Sequence, residues 1–201
     1  MLLDHLAVAA TTLAAARAHV EEALGVPMQP GGQHAVFATH NALLGLEDGL
    51  YLEAIAADPD QPAPERPRWF DLDRFDGPPR LLNWICRTDD MAELARCPDG
   101  AGTPVDLARG DLRWQMAVPE NGILPFDNIW PALIRWQVAQ HPAQMLAPSG
   151  VRLTRLVLAH PEAAALRTAL DRVFTDDRIA VEAGAPALRA EFNTPHGVRT
   201  L

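Results

Sequence analysis

The order strand, helix, strands begins three times in this chain, at Leu3, Leu82 and Leu153, openings that lie 79 and 71 residues apart. The repetition is of element order and not of letters. In the first unit, Leu3 to Ala9 reads as a strand, and Thr11-Thr12 offers a helix cap. Leu13, Ala16, Val20 and Leu24 then fall at helical spacing until Gly25 and Pro27 stop the helix. His34 to Ala38, Ala42 to Leu46 and Leu50 to Ala56 follow as short strands between turn residues. The second unit has a strand at Leu81 to Thr88, a helix from Asp89 through Met91, Leu94 and Ala95, and extended segments at Leu112 to Val118 and Ala132 to Trp136. In the third, Leu153 to Ala159 precedes a helix opened by Pro161 and carrying Leu166, Leu170, Val173 and Phe174. Strands at Ile179 to Ala183, Ala187 to Asn193 and Val198 to Leu201 complete it.

A unit of this kind buries its helix on one face of a small mixed sheet and leaves the other face open. Two such units set edge to edge curl into a cup lined by alternating strand residues. The expected fold is therefore α+β: repeated βαβββ modules forming a curved mixed sheet with helices on its outer face. The expected organisation is one domain, with modules at about 1–56, 81–137 and 151–201. Residues 57–80 form a proline-rich crossover, in which Trp69, Phe70, Leu72 and Phe75 predict a short packed helix. Which later module faces the first stays open at this point.

Charge narrows the function classes. The net charge is −9, and all 17 basic residues are arginine. Without lysine there is neither Schiff-base chemistry on a lysine nor a P-loop. An acidic chain with no basic stripe is poorly suited to nucleic acid or to anionic membrane surfaces. No apolar run reaches the length of a membrane span, and Asp4 and His5 interrupt the N-terminal apolar stretch, unlike a signal peptide. The expected compartment is the cytoplasm, with Cys86 and Cys97 as reduced thiols. The expected partner is a small molecule, and the exposed edges of an incomplete third module suggest a homodimer.

Period-two alternation selects candidate site residues. On the first strand, Leu6 and Val8 suit the helix side, leaving Leu3, His5 and Ala7 opposite. On the fourth, Leu50, Leu52 and Ala54 suit the helix side, leaving Tyr51, Glu53 and Ile55 opposite. His5 and Glu53 thus share the concave face, where an imidazole and a carboxylate can bind a divalent metal or act as an acid/base pair. His141-Pro142, His160-Pro161 and His196 read as turn or helix-start residues, and Ser149-Gly150 lacks a nucleophile elbow.

These residues carry a resemblance. Leu3-Asp4-His5-Leu6-Ala7-Val8, the helix end Leu24-Gly25 and Tyr51-Leu52-Glu53 resemble the glyoxalase, bleomycin-resistance and extradiol-dioxygenase superfamily, the vicinal oxygen chelate proteins. Within it the chain is most similar to glyoxalase-like domain proteins, through Leu82-Asn83-Trp84, Leu124-Pro125-Phe126, Ile134-Arg135-Trp136, His141-Pro142-Ala143, Ser149 to Leu153 and His160-Pro161.

The resemblance implies a lyase, isomerase or dioxygenase whose paired modules each give a metal two ligands, from their first and fourth strands. His5 and Glu53 match the first pair, as catalytic and metal-binding residues. The second module aligns Trp84 with His5 and Arg135 with Glu53; if the third module is the partner, Arg155 and Leu201 take those places. Neither pairing completes four ligands, because Trp does not bind the metal and a guanidinium repels it. A shifted register would bring in Asn83, His34 or Glu191. The alternative is a metal-free binding module. There Arg135 either clamps an anionic ligand between Trp84, Trp136 and Tyr51 or pairs with Glu53.

Overall fold

The computed structural model describes residues 1–201. The first module follows its sequence logic closely. Strand β1 (Leu2–Ala9) leads to helix α1 (Leu13–Leu24), where Thr12 accepts a hydrogen bond from the Ala15 backbone and Gly25 closes the end in a left-handed conformation. Ala16, Val20 and Leu24 form the buried stripe of α1. Strands β2 (Gln29–His34), β3 (Thr39–Gly45) and β4 (Tyr51–Ala57) complete the module. The strand expected at His34 to Ala38 lies earlier. Pro30-Gly31-Gly32 is a poor strand sequence by itself, but its pairing with β3 makes it one.

The crossover contains a short 3-10 helix, Trp69–Arg74, before β5 (Arg80–Arg87). Where the pattern suggested a second α-helix there is only a 3-10 turn pair, Met91–Arg96, capped by Asp90. Strands β6 (Thr103–Arg109), β7 (Leu112–Val118) and β8 (Ala132–Trp136) follow. The second half of the molecule thus lacks the helix that would cover its outer face.

The third module supplies that cover. Strands β9 (Arg152–His160), β10 (Ile179–Ala183), β11 (Ala187–Thr194) and β12 (Gly197–Thr200) form their own sheet in the order β10-β9-β11-β12, with helix α2 (Ala163–Leu170) beside it. The pairing left open by the sequence is therefore first module with second. Their strands make one eight-stranded mixed sheet, β2-β3-β4-β1-β5-β8-β7-β6, joined where β1 runs antiparallel to β5.

Two apolar layers result. The outer one joins Leu6, Val8, Leu52, Trp84, Cys86 and Leu133 of the large sheet to α1, α2 and the inward residues of β9 and β11, among them Leu156, Leu158 and Phe192. The inner one lines the concave face with Ala7, Ile55, Ile85, Trp114, Met116 and Ile134. Burial of apolar surface on both sides makes the large sheet the rigid wall of the molecule. The wall curls until its outer strands, β2 and β6, lie against each other. No helix is long and apolar enough to cross a membrane.

Candidate functional site

The concave face holds a narrow cavity of about 30 Å³ that opens to solvent. His5 and Glu53 meet on its floor, as alternation predicts, with His5 Nε2 3.8 Å from Glu53 Oε2. Both side chains are almost fully buried. Strand β1 runs parallel to β4 with His5 beside Tyr51 and Ala7 beside Glu53, so the two groups come from adjacent strands on one face. Tyr51 stacks on the His5 ring at 4.2 Å and 14°. Burial, with Asp4 and Glu53 nearby, pushes the Tyr51 phenol well above its ordinary range, so it stays protonated.

A bulge in β1 between Leu3 and His5 changes the alternation there. Leu3, expected on the concave face, packs in the outer core instead. Asp4 is wholly buried, and its Oδ1 lies 2.6 Å from His5 Nδ1. Its Oδ2 accepts hydrogen bonds from Trp136 Nε1 at 3.1 Å and His141 Nε2 at 2.8 Å, and Arg87 stands 3.6 Å away. Burial alone would raise the Asp4 pKa. The hydrogen bonds from His141 and His5 outweigh it and hold the carboxyl well below the usual range. An ionised acceptor at Nδ1 makes that nitrogen the donor, so His5 presents an unprotonated Nε2 to the cavity when the ring is neutral.

His141 is more than a turn residue. Its Nδ1 accepts from the Ala143 backbone at 3.2 Å, which leaves Nε2–H to donate to Asp4. This pins the segment after β8 across the cavity mouth, where Pro142 joins the lining. Beyond it, Ala147 exchanges hydrogen bonds with Gln29, and Ser149 Oγ donates to the Gly45 carbonyl.

On the far side of Glu53, Asn41 Nδ2 donates to Oε1 at 2.5 Å, while Asn41 Oδ1 accepts from the Gly32 backbone and from Arg109. A side chain at Gly31 would collide with Asn41, and one at Gly32 with the Arg109 stem. The two glycines thus allow β2 to close against both residues. His34 Nδ1 lies 3.0 Å from Thr39 Oγ1, and its Nε2 faces Asn41 and Arg109 at 3.4 Å each. Burial, then the Arg109 charge, lowers the His34 pKa to about 3, so this ring is neutral.

The other sequence candidates divide. Tyr51 and Trp136 line the cavity. Trp84 does not: it is buried in the outer layer, donates to the Ile129 carbonyl at 2.8 Å and meets Phe174 edge-on. Nor does Arg135, since Ile134 and Trp136 take the inward positions of β8 and place Arg135 on the opposite face. In both strands the inward positions lie one residue from those the alignment predicts, at Ile85 and at Ile134 or Trp136. Glu191 and Arg155 belong to the separate small sheet.

The cationic residue of the cavity is Arg109, at the end of a strand that the sequence pattern did not reveal. Its only signal was the Arg109-Gly110 turn. Asp4 was hidden differently, because it breaks the alternation by sitting at a bulge.

A divalent ion held by the protein alone needs about four donors or more. On the second half of the wall, Ile85 is paired with His5, and Ile134 and Met116 fill the neighbouring inward positions. No third His, Cys, Asp or Glu joins His5 and Glu53 to complete a shell, and Arg109 adds a positive charge to the same space. This donor set does not fit a metal centre built by the protein alone.

A family model described as "Glyoxalase-like domain" matches residues 3–174. No curated protein matches the chain. Among solved structures, a hypothetical protein from Staphylococcus aureus is similar with a TM-score of 0.61 at 12% identity, covering 92% of this chain and 86% of that one. The Mn(II)-bound glyoxalase from Novosphingobium aromaticivorans is similar with a TM-score of 0.50 at 11% identity, covering 99% and 80%. At such identities the likeness is one of fold.

Proposed function

The chain belongs to the glyoxalase-like domain family of the vicinal oxygen chelate superfamily, and from that premise we propose that it is a small-molecule isomerase or lyase working by proton transfer at His5 and Glu53. Members of the superfamily are often metal-dependent isomerases, lyases or dioxygenases. The reading departs from that habit because the donor set here stops at two residues. One observation carries it: His5 Nε2 and Glu53 Oε2 face each other across 3.8 Å on the cavity floor, with the other His5 nitrogen bound to a buried carboxylate.

The chemistry follows from that arrangement. His5 Nε2 takes a proton from a carbon or hydroxyl of the bound molecule. The imidazolium that forms is stabilised by Asp4, which also fixes the ring's orientation. Glu53, steadied through Oε1 by Asn41, offers Oε2 as the second proton carrier. Asp4 acts through His5 and is a positioning residue.

The test is hydrogen exchange into substrate from D2O, followed by proton NMR on a panel of small 2-oxo and 2-hydroxy acids. Catalysed loss of a C–H signal is expected, unaffected by EDTA. His5→Gln and Glu53→Gln should each slow it about 100-fold or more. Exchange that needs added Mn2+ would overturn the metal-independent reading. Saturable binding without exchange would replace it with a sequestering protein.

A further inference from the structure

We propose that the ligand of this cavity is a small monoanionic carboxylate on a flat apolar body, and that Arg109 receives its charge; this rests on the proton-transfer reading of the same cavity. Arg109 reaches from the end of β6 across the seam where the curled sheet closes. Its contacts there are long and neutral: Asn41 Oδ1 at 3.3 Å and His34 Nε2 at 3.4 Å, the latter on a ring that burial keeps uncharged. It enters no ion pair. Asn41 stands between it and Glu53, taking the Glu53 oxygen for itself at 2.5 Å. A guanidinium has five N–H donors in a planar fork, and a carboxylate matches two of them at once. Most of the Arg109 fork is therefore left for an oxyanion.

The rest of the lining sets the body of the ligand. Trp69, Phe70, Trp114 and Trp136 supply flat apolar walls to the cavity that Arg109 also lines. The Trp69 indole N–H is buried without a hydrogen-bond partner. Aromatic walls favour a planar, polarisable body over a hydrated one. The cavity is narrow, about 30 Å³, which favours a flat body over a bulky one. Charge limits the headgroup as well. One arginine faces a space already bordered by Glu53 and the Asp4–His5 pair, which favours a single negative charge over a phosphate dianion.

Tryptophan fluorescence titration of the full chain tests the assignment with three probes: benzoate, its neutral isostere benzamide, and acetate. Benzoate should quench saturably with a Kd of roughly millimolar or tighter. Benzamide should bind at least about tenfold more weakly, and acetate more weakly still. Arg109→Met should erase the preference for benzoate while leaving benzamide binding in place. Arg109→Lys, which keeps the charge but loses the fork, should reduce the preference without erasing it, and serves if the methionine variant does not fold. Equal binding of benzoate and benzamide, an unchanged preference in Arg109→Met, or no saturable binding of any probe overturns the ligand class. The proton-transfer reading fails separately, by the absence of His5-dependent exchange.

Discussion

The two halves of the large sheet share a strand plan and differ in what they place on each face. The first half, β1 to β4, turns His5, Glu53, Asn41, Tyr51 and His34 into the cavity and covers its back with α1. The second half, β5 to β8, turns Trp114, Met116, Ile134 and Trp136 inward, with Arg109 at its tip. Its back is covered by the third module in place of a helix. One half carries titratable groups and the other carries apolar walls and a cation. The two halves of the repeated scaffold carry different side chains at equivalent positions, so pairing those positions yields no four-ligand centre.

The largest effect is expected on the outer face of the second half. Trp84→Ala should cost about 3–5 kcal/mol, because a large buried side chain leaves a cavity between β5 and the Phe174 segment that follows α2. Truncating Trp136, on the cavity side, should cost less stability and more ligand affinity. Urea unfolding of the two variants measures the contrast. Equal losses would mean that the third module is not the structural cover of the second half.

Acid stability probes the polar half. The His34 pKa falls from an ordinary 6.5 to about 3 in the folded chain, so the unfolded state binds a proton there first as pH drops. Its contribution is present above pH 6.5 and is lost as pH falls towards 3, at up to about 1.4 kcal/mol per unit. Asp4 behaves differently. Its contribution is full above the ordinary carboxyl value of 3.8 and declines as pH falls below it. His34→Gln should therefore flatten the upper part of the acid limb and leave the lower part. An unchanged slope between pH 6.5 and 4 would contradict a neutral, buried His34.

The smallest effect belongs to Arg135. On the outer face of β8, Arg135→Ala should change stability by about 0.5 kcal/mol or less and leave benzoate binding intact. Loss of binding comparable to that in Arg109→Met would return Arg135 to the cavity and undo the register described above.

Much of this was legible beforehand, for a physical reason in each case. His5, Tyr51 and Glu53 were readable because β1 beyond its bulge and β4 alternate cleanly, so apolar letters fix which side is in. Helix α1 was readable from its caps and stripe. Arg135 and Trp84 were misplaced because β8 and β5 are apolar on both faces, and alternation gives no phase where both layers are greasy. Asp4 was missed at a bulge, and Arg109 because Thr103–Arg109 is a partly exposed strand with a weak pattern. Its closeness to His34 arises from the curl of the whole sheet. The short 3-10 segment at Met91–Arg96 illustrates the same limit, since a helix there has no outer groove to fill once the third module occupies it.

The most direct measurement is a nitrogen–proton correlation spectrum of the imidazole rings near pH 8. The expected spectrum shows His5 with its proton on Nδ1 and with Nε2 unprotonated. Asp4→Asn should disturb that preference, and equimolar Zn2+ should leave the His5 signals in place. A proton on Nε2 in the unaltered chain, or a zinc-induced shift of His5 at micromolar metal, would contradict a metal-independent base held by Asp4.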